Sequence, residues 1–464
     1  MRQGTIPSVA AILLLLSMSC GGEKTTTTTL SGGAAGWNVI LLSLDAVRAD
    51  HLGAFGYEKR ATSPNIDNMI GGGIRFRQAM APRAATWPSL GSVLTGLYPM
   101  SHGVFTNGYN LADDIPTLPT ILNAAGYQTG AFVCNMCEAN HQGWDEFFCS
   151  NGRDRALNAK ALGWVKTVDR SRPFLLWTHY FAAHGPYQKG GDIARNRLDP
   201  TYDGFLTPEK EILDSVMQKP VSLDKRDLEH LRAMYDAAIM ATDSLVGRLI
   251  DALGEGSWLD RTIIVFLADH GEELYEHNDY LYHACSVYQS TLHVPLAIVA
   301  PGLVPVGLAV EGNVELIDVT PTILDLLGLQ MPDDMQGVSL VPFMENPHLP
   351  GPAKPVFSEY GQLSIRTVLD GEWKLVDNPR ETTPSCFTGT PSDFYPIERF
   401  ELYNLSLDGG ERVNVAAENP EKVKELRELI RQRFRDLPDR RDRQNVSEQV
   451  RKKLRALGYV TDGH

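Results

Sequence analysis

Three short stretches of this chain hold residue types that could do chemistry together. The first, "ADHGEELYEHNDYLYH" at residues 268–283, follows the apolar run "TIIVFL" and sets Asp269 and His270 side by side where that run stops. The second is Asp45, which ends the apolar run "NVILLSL". Two carboxylates and an imidazole form an oxygen and nitrogen donor set for one divalent cation, Zn²⁺ or Mn²⁺ by preference, with Ca²⁺ and Mg²⁺ next in line. The third is "APRAATWPSLGSVLTGLYP", where Pro88 suits the first turn of a helix and Leu90, Val93, Leu94 and Leu97 mark one buried face. Thr86 then stands at or just before the helix N-terminus, where unpaired N–H groups and the dipole favour an anion. Taken singly, each residue has an ordinary reading. An aspartate after a strand makes a turn, and a threonine at a helix end caps it. Beside a cation, however, the Thr86 hydroxyl becomes a nucleophile, with its pKa lowered and the helix end steadying charge on the group under attack. Glu272, Glu273 and Glu276 read as solvated members of the acidic loop.

What must position these residues is a sheet. The runs "NVILLSL", "GAFVC", "PFLLWTHY", "RTIIVFLA" and "VPLAIVAPG" are continuously apolar, the pattern of strands covered on both faces. Between them lie helical patterns: "PTLPTILNAAG", the long "LEHLRAMYDAAIMATDSLVGRLIDAL", and "ELIDVTPTILDLLG", which ends at Gly328. This alternation predicts an α/β fold, a mostly parallel sheet flanked by helices. Ligands in such sheets gather beyond the carboxyl ends of the strands, where Asp45 and Asp269 stand. From residue 350 the pattern changes to short strand-like runs, "PVFSEY", "IRTVLDGEWKLV" and "RFELYNL", then a helix over 420–435. A small C-terminal α+β subdomain is expected at 350–436, after a catalytic domain at 37–349, with a charged tail at 437–464.

The 464 residues allow both domains a core, and a formal charge of −14 argues against nucleic acid as a partner, because phosphate backbones demand basic surface. Residues 1–20 read as an export signal: Arg2, then "AAILLLLSMSC", too short to span a bilayer. Ser19, Cys20 and the two glycines after it resemble a bacterial lipoprotein processing site, although Ser17 stands where leucine is preferred. The expectation is a lipid on Cys20 that ties the protein to a membrane, as a periplasmic or outer-membrane lipoprotein; ordinary signal cleavage is the alternative. Residues 21–36 are polar and repetitive, a disordered tether. Beyond Cys20 five cysteines remain, so at least one thiol is free, and pairing among Cys134, Cys137 and Cys149 is open.

In this order, "NVILLSLDAVRADHLGAFGY", "TSPNID", "TWPSLGSVLTGLYPMSHGV", "HYFAAHGPY", "VFLADHGEEL" and "LHVPLAIVAPG" resemble the sulfatases of the alkaline phosphatase superfamily. "GYQTGAFVCN", "DVTPTILDLLG", "GEWKLV" and "ELYNLSLDGGERVN" carry the resemblance into the C-terminal subdomain, over residues 37–435. It implies that Asp45, Asp269 and His270 hold one metal, with Thr86 completing the set as nucleophile at the place of the family's modified cysteine. It also implies that His184 and His283 face the substrate's anionic group or its leaving oxygen, with Asn135 a further substrate contact; His102 and His179 are left as structural.

Four departures stand out. Sulfatases carry Cys or Ser at the Thr86 position, oxidised to an aldehyde whose hydrate attacks sulfur, and threonine cannot yield that aldehyde. Leu90 replaces an arginine, Ala46 an aspartate, and Ala182 the aspartate of "FDPH". These changes resemble superfamily members that cleave phosphate esters through threonine. The expected activity is hydrolysis of a sulfate or phosphate ester on a small molecule, glycan or lipid, with Thr86 favouring phosphate mono- or diesters through a phosphothreonine. Two alternatives remain: transfer of the phosphoryl group to envelope lipids or glycans, and a catalytically silent binding protein of the same fold.

Overall fold

Apolar runs rich in Ile, Leu and Val become the central strands of the structure, a computed structural model. It describes residues 29–440 apart from 138–140, 182, 189–197, 219–221, 278–279, 285, 347–353, 361–363 and 383–396. Residues 1–20, read as an export signal with Cys20, residues 21–28, Ala182, Cys285, Cys386 and the tail from 441 onward lie outside the described residues. The rest of the expected tether is a correction: residues 29–36 are not disordered, since Leu30 and Ala34 are buried and the N–H groups of Gly32 and Ala34 donate to the Asp325 and Leu326 carbonyls at 2.8 and 2.9 Å, which folds this segment onto the large domain.

Among the described residues ten strands precede residue 320: β1 (Asn38–Leu44), β2 (Ile74–Met80), β3 (Gln128–Val133), β4 (Glu146–Cys149), β5 (Phe174–Tyr180), β6 (Thr262–Ala268), β7 (Glu273–Leu274), β8 (Leu281–Tyr282), β9 (His293–Val299) and β10 (Leu308–Glu315). Eight of them form one sheet in the order β10-β2-β9-β6-β1-β5-β3-β4. Neighbours run parallel except at β9, which is antiparallel to both β2 and β6. The middle strands β1, β5 and β6 are almost wholly buried. That explains why their sequences lack the alternation of a half-exposed strand.

Helices cover the sheet. Lys225–Glu255 is capped by Asp224, whose carboxylate accepts from the N–H groups of Arg226 and Asp227. It packs with Pro64–Gly71 and Asp154–Val165, while Thr86–Thr95 packs with Leu118–Ala124 and Val319–Leu327. The last of these stops at Gly328, whose φ of 67° is the left-handed conformation that ends helices. Among the described residues no helix is long and apolar enough to cross a membrane.

The C-terminal strands β11 (Val356–Tyr360), β12 (Ile365–Asp370), β13 (Trp373–Asp377) and β14 (Phe400–Asn404) form an antiparallel meander in sequence order. Helix Pro420–Arg435 lays Val423, Leu426, Ile430 and Phe434 over Val368, Leu375 and Leu402. Tyr98, Met100 and Ile317 belong to the same core. The subdomain therefore shares apolar contacts with the large domain and is not hung from a linker.

Candidate active site

The register of two strands builds the centre. β1 and β6 are parallel neighbours with Leu44 opposite Ala268, so Asp45 and Asp269 leave the sheet side by side. Backbone bonds hold them there: Asp45 N–H donates to the Tyr180 carbonyl at 2.8 Å and Asp269 N–H to the Leu44 carbonyl at 3.2 Å. Helix Thr86–Thr95 is docked on the same edge by Ser89, whose hydroxyl donates to the Asp269 carbonyl at 2.6 Å. Thr86 is the first residue of that helix, and its Oγ1 lies 3.4 Å from His270 Nε2. One donor atom each from Asp45, Asp269 and His270 lies within 4.8 Å of the others. All four side chains are buried.

The lone pairs in this cluster converge. His270 Nδ1 is 2.9 Å from the Gly271 carbonyl, so Nδ1 carries the proton and the Nε2 lone pair faces inward. Nε2 lies 3.6 Å from Asp45 Oδ1 and 3.5 Å from Asp269 Oδ2. Both of those oxygens are buried without a hydrogen-bond partner. Their charges conflict as well. Burial acts to raise the Asp45 carboxyl, but His184, His179 and His270 pull it well below the usual carboxylate range. Burial and then the charge of Asp45 push Asp269 well above it. Two carboxylates and an imidazole lone pair aimed at one buried spot are what a divalent cation satisfies, so the residues present fit the metal.

Two more histidines extend the cluster. The His283 ring lies 4.2 Å from that of His270 and 4.7 Å from that of His184, centroid to centroid. His184 Nδ1 is bonded to the Gly185 carbonyl at 2.7 Å. Burial lowers the pKa of both, for His283 with the help of His270, and Asp45 opposes the shift. His283 Nδ1 meets Glu272 Oε2 at 2.8 Å.

The acidic loop is a correction. Glu272, Glu273 and Glu276 read as solvated in the sequence, yet Glu272 and Glu273 are fully buried and Glu276 is half-buried. Glu273 accepts from Ser286 at 2.7 Å and meets His277 at 3.1 Å, and Glu276 binds the Arg48 guanidinium at 2.7 Å. Burial pushes the Glu272 carboxyl up to about 7, against the pull of His184 and His270.

Other residues fall in places the sequence did not reveal. His179 was set aside as structural, but the β1–β5 register puts it opposite Ser43, and its Nε2 lies 3.7 Å from Asp45 Oδ2. Its position at the end of an apolar run, like that of Asp45, was the signal available. Asn107 accepts from the Trp87 N–H at 2.8 Å with its side-chain oxygen, one residue past Thr86, and no motif pointed to it. Asn135 stands two residues beyond β3, exposed and with φ at 61°. His102 is occupied with Ser92 at 3.0 Å and the Pro88 carbonyl at 3.2 Å, and burial lowers its pKa to about 3. Of the three cysteines left open, Cys137 and Cys149 form a disulfide, and Cys134 is buried outside that bond.

Residues 37–329 match the family model for Sulfatase. The chain is 30% identical to arylsulfatase K of Xenopus laevis over 437 residues, covering 79% of this chain and 77% of that one. It is 24% identical to the N-acetylglucosamine-6-O-sulfatase of Bacteroides thetaiotaomicron, covering 87% of each. The phosphonate monoester hydrolase of Agrobacterium radiobacter has the same fold, with a TM-score of 0.69 at 20% identity over 86% of this chain and 96% of that one.

Proposed function

From the premise that this chain belongs to the sulfatase family, the metal-dependent hydrolases of sulfate esters, we propose that its own nucleophile is Thr86 and that phosphate mono- or diesters are its preferred substrates. The observation that carries the reading is the Thr86 hydroxyl, 3.4 Å from His270 Nε2 at a helix N-terminus, against a carboxylate pair that calls for a cation. Asp45, Asp269 and His270 would hold the metal, Zn²⁺ or Mn²⁺ by preference. When bound there it supplies positive charge that lowers the hydroxyl's pKa and steadies the ester oxygens.

The rest is done by the chain. Thr86 gives up its proton to solvent and its Oγ attacks phosphorus. A phosphorus–Oγ bond forms as the bond to the ester's alcohol oxygen breaks. His184 or His283 hands that alcohol a proton, and general acids of this kind contribute about 10²–10⁴-fold. Water then attacks the phosphothreonine and restores the hydroxyl. Because threonine yields no aldehyde hydrate, a sulfated Thr86 would need water to attack at sulfur, and this favours phosphorus. The substrate is a small-molecule, glycan or lipid ester, with Asn135 a further contact. Export, with or without a lipid on Cys20, is supported by the Cys137–Cys149 pair, since disulfides persist in oxidising compartments.

Turnover of 4-nitrophenyl sulfate, phosphate and a phosphodiester by the Zn²⁺- or Mn²⁺-loaded protein tests this. Thr86→Ala should keep its metal and lose at least about 10³-fold in kcat. A Thr86→Ala variant as active as the parent would refute the nucleophile. A clear preference for sulfate would refute the substrate assignment.

A further inference from the structure

We infer that His277 is a pH-sensitive latch: its imidazolium fastens the hairpin that leads into His283 to the C-terminal subdomain, and the fastening opens as the pH rises. The hairpin is β7 and β8, paired Glu273 to Tyr282 and Leu274 to Leu281, with His277 between the strands and His283 directly after β8. The His277 side chain is buried, and its ring lies flat on that of Tyr288, 3.9 Å between centroids at 16°. Its Nδ1 is 3.1 and 3.2 Å from the two carboxylate oxygens of Glu273. Its Nε2 is 3.0 Å from the carbonyl of Gly410, in the turn that follows β14.

Carboxylate and carbonyl only accept, so both ring nitrogens carry a proton and the ring is charged. A neutral imidazole has one N–H and can serve one of the two. The Glu273 carboxylate is fully buried and is the stronger acceptor, so it keeps the proton at Nδ1. The Nε2 lone pair then faces the lone pairs of the Gly410 carbonyl, and that bond is lost. Gly410 is exposed, so water takes up its carbonyl at little cost. Glu411 still holds the Gln289 N–H at 2.5 Å, which confines the opening to the hairpin. The other charged and titratable groups around the ring are already engaged. Glu276 of the hairpin binds Arg48 at 2.7 Å, Tyr288 OH donates to Glu401 at 2.9 Å, and Glu411 pairs with Lys374 at 2.6 Å. Burial acts to lower the His277 pKa, but Glu273, Glu411 and Glu276 carry it above the ordinary 6.5. The sign follows: the latch is closed below 6.5 and is lost as the pH climbs through the folded value. The latch itself stands apart from Thr86, while its effect on turnover rests on the reading of His283 as facing the substrate.

Hydrogen exchange of the full, metal-loaded chain between pH 6 and 9, corrected for intrinsic rates, tests this. The Tyr275 and Tyr280 N–H groups, which donate to the Tyr280 and His277 carbonyls at 2.9 and 3.0 Å, report on the hairpin, and the β1 amides serve as reference. Their protection should fall at least about 10-fold across this range in the parent, the size of one bond to a charged group. His277→Gln, whose amide does not titrate, should exchange alike at both ends of the range. His277→Lys, whose ammonium titrates near 10.4, should stay protected to pH 9. Constant protection in the parent, the same pH dependence in His277→Gln, or a fall shared equally by β1 overturns the latch. Should His277→Gln not fold, release of His277→Lys at the parent's pH overturns it. Over the same range the kcat of the parent on 4-nitrophenyl phosphate should fall relative to that of His277→Lys. A constant ratio beside pH-dependent protection overturns the link to turnover, and a parent inactive on every ester counts against the reading of the site, not the latch.

Discussion

Removing one of the two converging carboxylates should strengthen the metal-free protein and abolish its response to metal. Consider Asp269→Asn. Asp269 Oδ1 accepts from the N–H groups of Ala46, at 3.1 Å, and His270, at 2.8 Å, and an asparagine oxygen can keep both. Its Oδ2 has no partner, and an amide nitrogen there would face the His270 Nε2 lone pair 3.5 Å away. The substitution thus converts an acceptor facing acceptors into a donor. Two unit charges within 4.8 Å repel by about 3.5 kcal/mol at an effective dielectric of 20. The raised pKa of Asp269 means that proton uptake already relieves part of this, so the gain in the metal-free protein should be about 1–2 kcal/mol. With an unfolding entropy of about 2.1 cal/mol/K per residue over 464 residues, that corresponds to a rise of roughly 1–2 °C in Tm. Zn²⁺ or Mn²⁺ at a hundredfold excess over its Kd should add about 2.7 kcal/mol to the parent and little to the variant. Thermal unfolding of chelator-treated protein, with and without added metal, measures both quantities. A metal-free variant that melts below the parent would refute the account of the site as repelling carboxylates. A variant as responsive to metal as the parent would refute Asp269 as a ligand.

Two further outcomes follow from buried charges. Because burial raises Glu272 from its ordinary 4.5 to about 7, the metal-free protein should have this group's full contribution below pH 4.5 and lose it as pH rises through 7. Glu272→Gln should remove up to about 3 kcal/mol of that decline, read as the difference between parent and variant stability from pH 5 to 8; identical pH profiles would contradict the burial argument. Lys374 and Glu411 form a fully buried pair at 2.6 Å, and Glu411 also accepts from the Gln289 N–H at 2.5 Å, which joins the C-terminal sheet to the chain six residues past His283. Lys374→Met should cost about 3–5 kcal/mol in denaturant unfolding, with part recovered when Glu411→Gln is added; no recovery would show that packing, not charge, decides the loss.

Much of the site was legible in the residues because strand ends are legible. A continuous apolar run that stops at Asp45, and another that stops at Asp269 and His270, put three candidate ligands at the carboxyl edge of a buried sheet on chain order alone. Chain order and hydropathy were enough because β1 and β6 are covered on both faces. The helix after Thr86 was legible for a similar reason, its apolar face being periodic. The resemblance to sulfatases added Thr86 as the proposed nucleophile and the two outer histidines.

What the residues could not disclose depends on contacts between segments far apart in the chain. Glu272 and Glu273 look like solvent-facing acids in any local window. They are buried because Tyr187, His277, His283 and Ser286 close around them, and a carboxylate is tolerated inside when every neighbour offers a hydrogen. The placing of His179 beside Asp45 depends on which strand lies next to β1, and the reversal of β9 on where the chain returns to the sheet; neither is a property of the strand's own residues. The chain by itself determined the element types and the candidate ligands at strand ends, because burial on both faces is written into composition. Tertiary structure alone decided partners, since register and closure bring together groups that no local pattern relates.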